Sequence, residues 1–360
     1  MITKPTLLID EIKCRANIQR MYSKSQKYNL EFRPHFKTHQ SLEIGRWFKD
    51  TGTKKITVSS ISMADYFSSE WNDITVAFPL NILEIKKIND LAERITLNLT
   101  IENEESILFL SRKSGFAINI FLKIDVGFHR TGISPNNSTL INKIIEIIDS
   151  SSNLTFKGFL GHAGQTYKCR GKEEIKQVHG QCLRLMQQLR TQYIKQYPDL
   201  IISLGDTPSC SVAEDFTCVD EIRPGNFVFY DLTQNIIGSN LISDIAVALA
   251  CPVVAIHENR SEVVVYGGGV HFSKEYIQEK EGKIFGRVAE QLDKSWGNII
   301  PGMYVKALSQ EHGILSVPID KIKKIKIGDI LMILPVHSCM TGNLMKCYYT
   351  FEGLKILRLS

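Results

Sequence analysis

The stretch Glu31-Phe32-Arg33-Pro34-His35-Phe36-Lys37-Thr38-His39 decides how the rest of the chain is read. Proline disfavours helix at the residue before it, so residues 31–36 read as a strand and Lys37 falls at its exit. An amine held there can form a Schiff base once neighbouring positive charge or desolvation lowers its pKa. Arg33, His35 and His39 are the candidate sources of that charge. A lone lysine is more often a solvated surface group, so the reading rests on what surrounds it.

Further short β-branched or aromatic runs follow at 56–60, 74–79, 95–101, 117–125, 154–162, 200–205 and 221–230. Between most of them lie stretches of helical character, at 39–51, 62–70, 81–92, 102–114, 136–150 and 172–197; the connection at 209–218 is short and weakly helical. Strands alternating with helices imply parallel pairing through right-handed crossovers. Eight such units predict a (β/α)8 TIM-type barrel. An open doubly wound sheet would carry a Gly-rich turn after its first strand, where this chain has Lys37-Thr38-His39.

After residue 240 the texture changes. Residues 245–256, 262–266, 303–309, 329–334 and 345–356 read as strands, and only 274–293 has helical content. The expected architecture is an α/β chain with a barrel at 20–240 and a second, β-rich C-terminal domain at 241–360. Residues 1–19 go with the second domain, although the strand-like Thr6 to Asp10 can also join the barrel. The triple glycine Gly267-Gly268-Gly269 reads as a turn between strands.

Composition sets the class. The 360 residues are 43% hydrophobic and 22% charged with a net charge of +5, values of an ordinary two-domain globular chain. Lys321, Lys323, Lys324 and Lys326, interleaved with isoleucines, predict a half-exposed strand. No aromatic-rich basic groove points to nucleic acid. Residues 1–5 lack the apolar core of a signal peptide. The longest apolar run, 245–256, is too short to span a bilayer and contains Pro252, so no membrane partner is expected. The eight scattered cysteines form no CxxC pair and suit a cytoplasmic location.

Active sites of such barrels lie at the strand exits. Here the exits hold Lys37, Asp125-Val126-Gly127-Phe128-His129-Arg130, Gly161-His162-Ala163-Gly164-Gln165-Thr166-Tyr167, Gly205-Asp206-Thr207-Pro208-Ser209 and Arg223-Pro224-Gly225-Asn226. The loops after strands seven and eight often bind phosphate. Thr207 and Ser209 offer hydroxyls at a helix start, and Gly225-Asn226 lets backbone approach closely. Each loop alone reads better as a capped turn. Together, opposite a lysine, they favour phosphate. An imine-forming lysine, a phosphate cradle and Arg130 between them point to pyridoxal 5'-phosphate, whose aldehyde, phosphate and ring each need a partner. Arg130 can reach the phenolic oxygen or the ring, and His162 and Tyr167 can flank it.

These motifs resemble the fold-type III pyridoxal-phosphate enzymes. The similarity is to the D-serine dehydratase-like and D-threonine aldolase branch of the alanine racemase superfamily, and it runs from residue 33 to Pro335-Val336-His337-Ser338-Cys339. Leu160 stands where D-serine dehydratases tend to carry tyrosine. The resemblance implies a cofactor bond on Lys37, contacts from Tyr167, Thr207, Gly225 and Asn226, and a head-to-tail homodimer. Along an extended segment His337 and Cys339 would share one face, and imidazole with thiolate suits zinc. The branch's dehydratases carry zinc on a His-x-Cys pair at this place, whereas its aldolases have His-x-Asp and a harder divalent ion. Glu311-His312-Gly313 resembles another motif of the branch, with His312 as an orienting group or proton carrier. The implied activity is a lyase of D-β-hydroxy amino acids, a dehydratase ahead of an aldolase. Racemization and non-catalytic cofactor binding are the remaining alternatives.

Overall fold

The computed structural model describes residues 2–359. Residues Gln19–Gly225 form one compact unit, and residues 2–18 with Asn226–Arg358 form a second. In chain order β1 (Thr6–Ile9) belongs to the second unit. The first unit holds β2 (Glu31–Phe32), β3 (Lys55–Val58), β4 (Asp73–Pro79), β5 (Thr96–Ile101), β6 (Ile118–Ile124), β7 (Leu154–Gly161), β8 (Ile201–Leu204) and β9 (Glu221–Ile222).

These eight strands pair in parallel in the order β2-β9-β8-β7-β6-β5-β4-β3. The ring closes at the stretch around Pro34. Glu31 and Phe32 pair with β9, and beyond the proline the same segment turns to β3. There Phe36 N–H donates to the Thr57 carbonyl, and Thr57 N–H donates to the Pro34 carbonyl, each at 2.9 Å. Proline has no N–H, but at this position only its carbonyl is needed. The expected (β/α)8 barrel is thus present.

The connecting helices start where their caps dictate. Ser41, Ser60, Asn103 and Asn137 each accept an amide from the first turn of the helix that follows. Ile141, Ile144, Ile145 and Ile148, spaced for one helical face, are all buried. The seventh connection is the six-residue helix Thr207–Val212, capped by Asp206.

Barrel interiors are usually filled by branched apolar side chains. This one carries a hydrogen-bonded polar chain instead. Asn119 Nδ2 donates to Asn98 Oδ1 at 3.0 Å, and Asn98 Nδ2 donates to Asp73 Oδ1 at 2.8 Å. Arg33 bridges Asp73 and Glu221. Ser203 Oγ donates to Glu221 at 2.6 Å and accepts from Arg223 Nε at 2.6 Å. Two guanidinium groups and two carboxylates balance, which makes their burial tolerable.

The second unit adds β10 (Val247–His257), β11 (Glu262–Tyr266), β12 (Ile277–Glu279), β13 (Gly282–Ile284), β14 (Gly286–Gln291), β15 (Trp296–Leu308), β16 (His312–Ser316), β17 (Ile330–Pro335), β18 (Cys347–Tyr349) and β19 (Lys355–Leu357). The order is β11-β16-β15-β14-β17-β10-β1-β18-β19, and β10 also pairs with β11. Six strands therefore form a closed ring of pairings, with β1, β18 and β19 continuing from β10.

Four expectations are corrected here. β1 does not join the (β/α)8 barrel; it pairs antiparallel with β10, from Thr6 opposite Ala250 to Ile9 opposite Val247. Residues 274–293 are not helical but supply β12, β13 and β14. Their Glu, Gln and Lys favour helix locally, yet Gly282 turns the chain at φ +109° and long-range pairing with β15 and β17 prevails. The lysine-rich segment forms the one-turn helix Ile319–Ile322 and a turn rather than a strand. The triple glycine leads into another one-turn helix, Gly269–Phe272. Glycine is required at 268, where a Cβ would meet the Gln310 carbonyl oxygen at 2.3 Å. No helix among the described residues is long and apolar enough to cross a membrane.

Candidate active site

Lys37 follows β2 in an exposed turn, and its N–H donates to His35 Nδ1 at 3.3 Å. His35 thus uses Nδ1 as an acceptor. His162 sits just beyond β7 and its Nδ1–H donates to the Gly205 carbonyl at 3.1 Å. Each imidazole thereby has one fixed tautomer. Both are held well below the ordinary histidine pKa, first by burial and then by the charge of Lys37, with Lys123 and Arg223 adding to it.

The source of positive charge beside Lys37 differs from expectation. Arg33 is consumed by Asp73 and Glu221. His39 is buried among the rings of Phe36, Phe48 and Phe67. His35 is kept neutral. The cations that act on this region are Lys123 and Arg223, to which the sequence reading assigned no role. Lys123, 4% exposed on β6, has its pKa pushed down to about 7 by burial and by Arg223, Arg130 and Lys37, against Glu102. Arg223 donates through Nη2 to the Gly161 and Ser203 carbonyls, and burial lowers its pKa to about 10. A signal for Lys123 was present. In β6 the polar Asn119 and Lys123 fall on one face of an otherwise apolar strand.

The other expected residues distribute around this centre. Arg130 is exposed with its guanidinium 5.0 Å from the Phe128 ring centre, and Phe128 meets His162 edge-on at 6.3 Å. Tyr167 is half-buried in the 3-10 turn Gly164–Lys168. That turn is tied to the next loop by Thr166 Oγ1, which donates to Asp206 Oδ1 at 2.9 Å. Thr207 Oγ1 accepts from Gly225 N–H at 3.3 Å. Gly225 must be glycine, because a Cβ would meet the His35 carbonyl oxygen at 2.9 Å. Ser209 gives its amide to Asp206 Oδ1, while its buried hydroxyl has no hydrogen-bond partner. An orphaned hydroxyl and a surplus of cations fit a phosphate-bearing, anionic cofactor.

Asn226 enters the phosphate reading only through its backbone, beside Gly225. Its side chain belongs to a group in the second unit, where Nδ2 donates to Asp231 Oδ2 at 2.7 Å, Ser338 Oγ at 2.9 Å and Cys339 Sγ at 3.4 Å. Asp231 is the hub of this group. It is fully buried and caps the helix Leu232–Ile237 by accepting from Gln234 N–H at 2.9 Å. It also accepts from Ser338 N–H at 2.9 Å and from His337 Nδ1 at 3.2 Å. Burial opposes its charge, but the His337 contact and the backbone donors hold its pKa below the usual carboxylate range. Burial likewise opposes protonation of His337, and Asp231 and Cys339 overcome it, raising the pKa to about 9. Only the cap signal, an Asp three residues before Gln234, marked Asp231 in the sequence.

His337 and Cys339 do not lie on an extended strand as expected. β17 ends at Pro335, His337 directly precedes the helix Ser338–Leu344 without a side-chain capping bond, and Cys339 is that helix's second residue. Among the described residues, no three or more His, Cys, Asp or Glu side chains gather as a metal-ligand group. The donor chemistry of the pair nevertheless fits: a carboxylate on Nδ1 orients an imidazole and leaves Nε2 for a metal. His312 is exposed at the start of β16, with Nδ1 3.3 Å from Ser309 Oγ.

Two family models match the chain. Residues 9–232 match the alanine racemase N-terminal domain and residues 246–351 match a putative serine dehydratase domain. A D-serine dehydratase of Dictyostelium discoideum is 29% identical over 98% of this chain and 94% of its own length. The solved D-threo-3-hydroxyaspartate dehydratase from Delftia sp. HT23 superposes with a TM-score of 0.92 at 25% identity, over 100% of this chain and 98% of that one. A mutant D-threo-3-hydroxyaspartate dehydratase in a metal-free form gives 0.90 at 25% identity, with the same coverage.

Proposed function

From a chain that belongs to the alanine racemase N-terminal domain family and continues into a putative serine dehydratase domain, we propose a pyridoxal-phosphate-dependent lyase of D-β-hydroxy amino acids. The reaction is D-serine dehydratase-like, with loss of the Cα proton and the β-hydroxyl to give a keto acid and ammonia. The observation that carries this reading is the exposed Lys37 beside two neutral imidazoles in a cation-rich barrel mouth.

Lys37 would hold the cofactor through its aldehyde, and its Nζ is the group placed to take the Cα proton. When bound, the cofactor supplies an electron sink for the charge that develops at Cα. Thr207, Ser209, Gly225 and Asn226 would hold the phosphate, Asn226 through its backbone because its side chain is engaged elsewhere. Arg130, His162 and Tyr167 serve the ring. His162, with Nδ1–H fixed on Gly205, offers Nε2 as an uncharged acceptor. His337 and Cys339 would hold zinc or another divalent ion, oriented by Asp231, and the chemistry supplied there is Lewis-acid activation of the β-hydroxyl. His312 is placed as an orienting group or proton carrier. The protein works as a cytoplasmic homodimer on a small-molecule substrate, with its barrel at 20–240 and its β-rich domain at 241–360 plus 1–19.

The test is to incubate purified protein and pyridoxal phosphate with a panel of D- and L-β-hydroxy amino acids, with and without zinc. Keto acid and ammonia from a D-enantiomer are expected. Glycine plus an aldehyde would move the activity to D-threonine aldolase. A protein that stays colourless with the vitamer and forms no product overturns the proposal.

A further inference from the structure

Lys123 is the buried charge that the mechanism above does not use. It sits on β6, 4% exposed, and its ammonium has three donors but one hydrogen-bond partner, the Ala77 carbonyl at a long 3.4 Å. The charges that act on it are Arg223, Arg130 and Lys37, all of like sign, against Glu102 alone. Glu102 makes no hydrogen bond with it, and its Oε2 is buried without a partner. Arg223 is committed to Ser203 and the Gly161 carbonyl. An under-bonded lysine buried at the mouth of a binding barrel is costly unless an anion arrives to pair with it.

We propose that Lys123 is an anion-receiving residue of the barrel mouth, pairing with an anionic oxygen of the bound molecules. That oxygen is either the cofactor's phenolate or the substrate's carboxylate. The inference rests on the function proposed above, and it adds a binding residue that separates positioning of ligand charge from the chemistry at Lys37.

The holoprotein and its Lys123→Met variant test it, with Lys123→Gln in reserve should the first fail to fold, and Lys123→Arg as a charge-keeping control. Four quantities are read: the visible absorbance of the bound cofactor, its rate of loss on dialysis, the KM for D-serine, and competitive inhibition by 3-hydroxypropionate, a hydroxy acid with no amino group. If the cofactor is the source, the Met variant shifts the absorbance and loses cofactor about thirtyfold faster, the usual scale for removing one partner of a buried charge pair. If the substrate is the source, the spectrum is unchanged, and the inhibition constant and the KM for D-serine rise about thirtyfold. In either case Lys123→Arg recovers part of the loss. A folded, coloured Met variant with spectrum, retention and inhibition within about twofold of wild type overturns the assignment of Lys123 alone. Wild-type protein that takes up no cofactor overturns the proposed function along with it.

Discussion

His162 and His337 are the same side chain in two environments with opposite outcomes. In the barrel, His162 donates Nδ1–H to a backbone carbonyl and lies among Lys37, Lys123 and Arg223, so protonation is suppressed. In the β-rich unit, His337 sets Nδ1 against the buried Asp231, and its pKa rises to about 9. Burial opposes the imidazolium in both places, so the sign is decided by the neighbours' charge. The assembly differs as well. The barrel mouth draws single residues from many strand exits, whereas the Asp231 group comes from two short segments, 226–231 and 337–339. The first is built by topology and carries surplus positive charge suited to anions. The second is built locally around a carboxylate and suits a cation.

The largest expected effect tests whether the first region alone holds the cofactor. Lys37→Ala should abolish the visible absorbance of bound pyridoxal phosphate and lower turnover by about 10³-fold or more, since it removes both the proposed attachment and the proposed base. Absorbance retained in that variant would break the comparison at its first member. Next comes the second region. His337→Ala or Cys339→Ala, or treatment of wild type with a chelator, should cut elimination by about a hundredfold while the absorbance persists, metal content being measured directly. Loss of colour in the same variants would mean that the two regions do not divide the work. A finer cut is Asp231→Asn, which keeps the shape but weakens the grip on His337. Metal affinity should fall about tenfold, at the lower edge of what such outer carboxylates contribute, by competition with a chromophoric chelator.

Most of the barrel was legible because its signals are local. β-branched runs, cap residues such as Ser41 and Asn103, and the Pro34 boundary each act within a few residues of the element they specify. Lys37 was singled out for the same reason, by its place just after the Pro34 boundary. Residues 274–293 were not, because helix-forming side chains are outweighed there by strand partners at 296–305 and 332–335 that no local pattern announces. Asn226 illustrates a subtler limit. Its position beside Gly225 pointed to the phosphate loops, but its side chain turns to Asp231 and Ser338, more than 100 residues away along the chain in the second case. Lys123 and Asp231 went unassigned because a buried charge is defined by its neighbours, which for Lys123 come from other strands and strand exits and for Asp231 include residues 337 and 338, far along the chain.

The smallest expected effect concerns the apoprotein and probes how strongly the mouth's cations repel one another. Lys123 titrates near 7 in the folded protein against an ordinary value of 10.5, and the groups acting on it are Arg223, Arg130, Glu102 and Lys37. Between those two pH values the unfolded chain holds a proton that the folded chain lacks, so folding stability gains with rising pH across that window. Below it both states are charged at this lysine, and above it neither is. In urea titrations of the apoproteins, the wild-type midpoint should therefore rise relative to Lys123→Met from pH 7 to pH 9, a window within the range between the two values. Binding an anionic ligand restores the charged form, so the same difference should flatten in the holoprotein. A wild-type curve that tracks the variant at every pH would mean that Lys123 stays protonated when empty, and the repulsion that sets His162 apart from His337 would have to come from Lys37 and Arg223 alone.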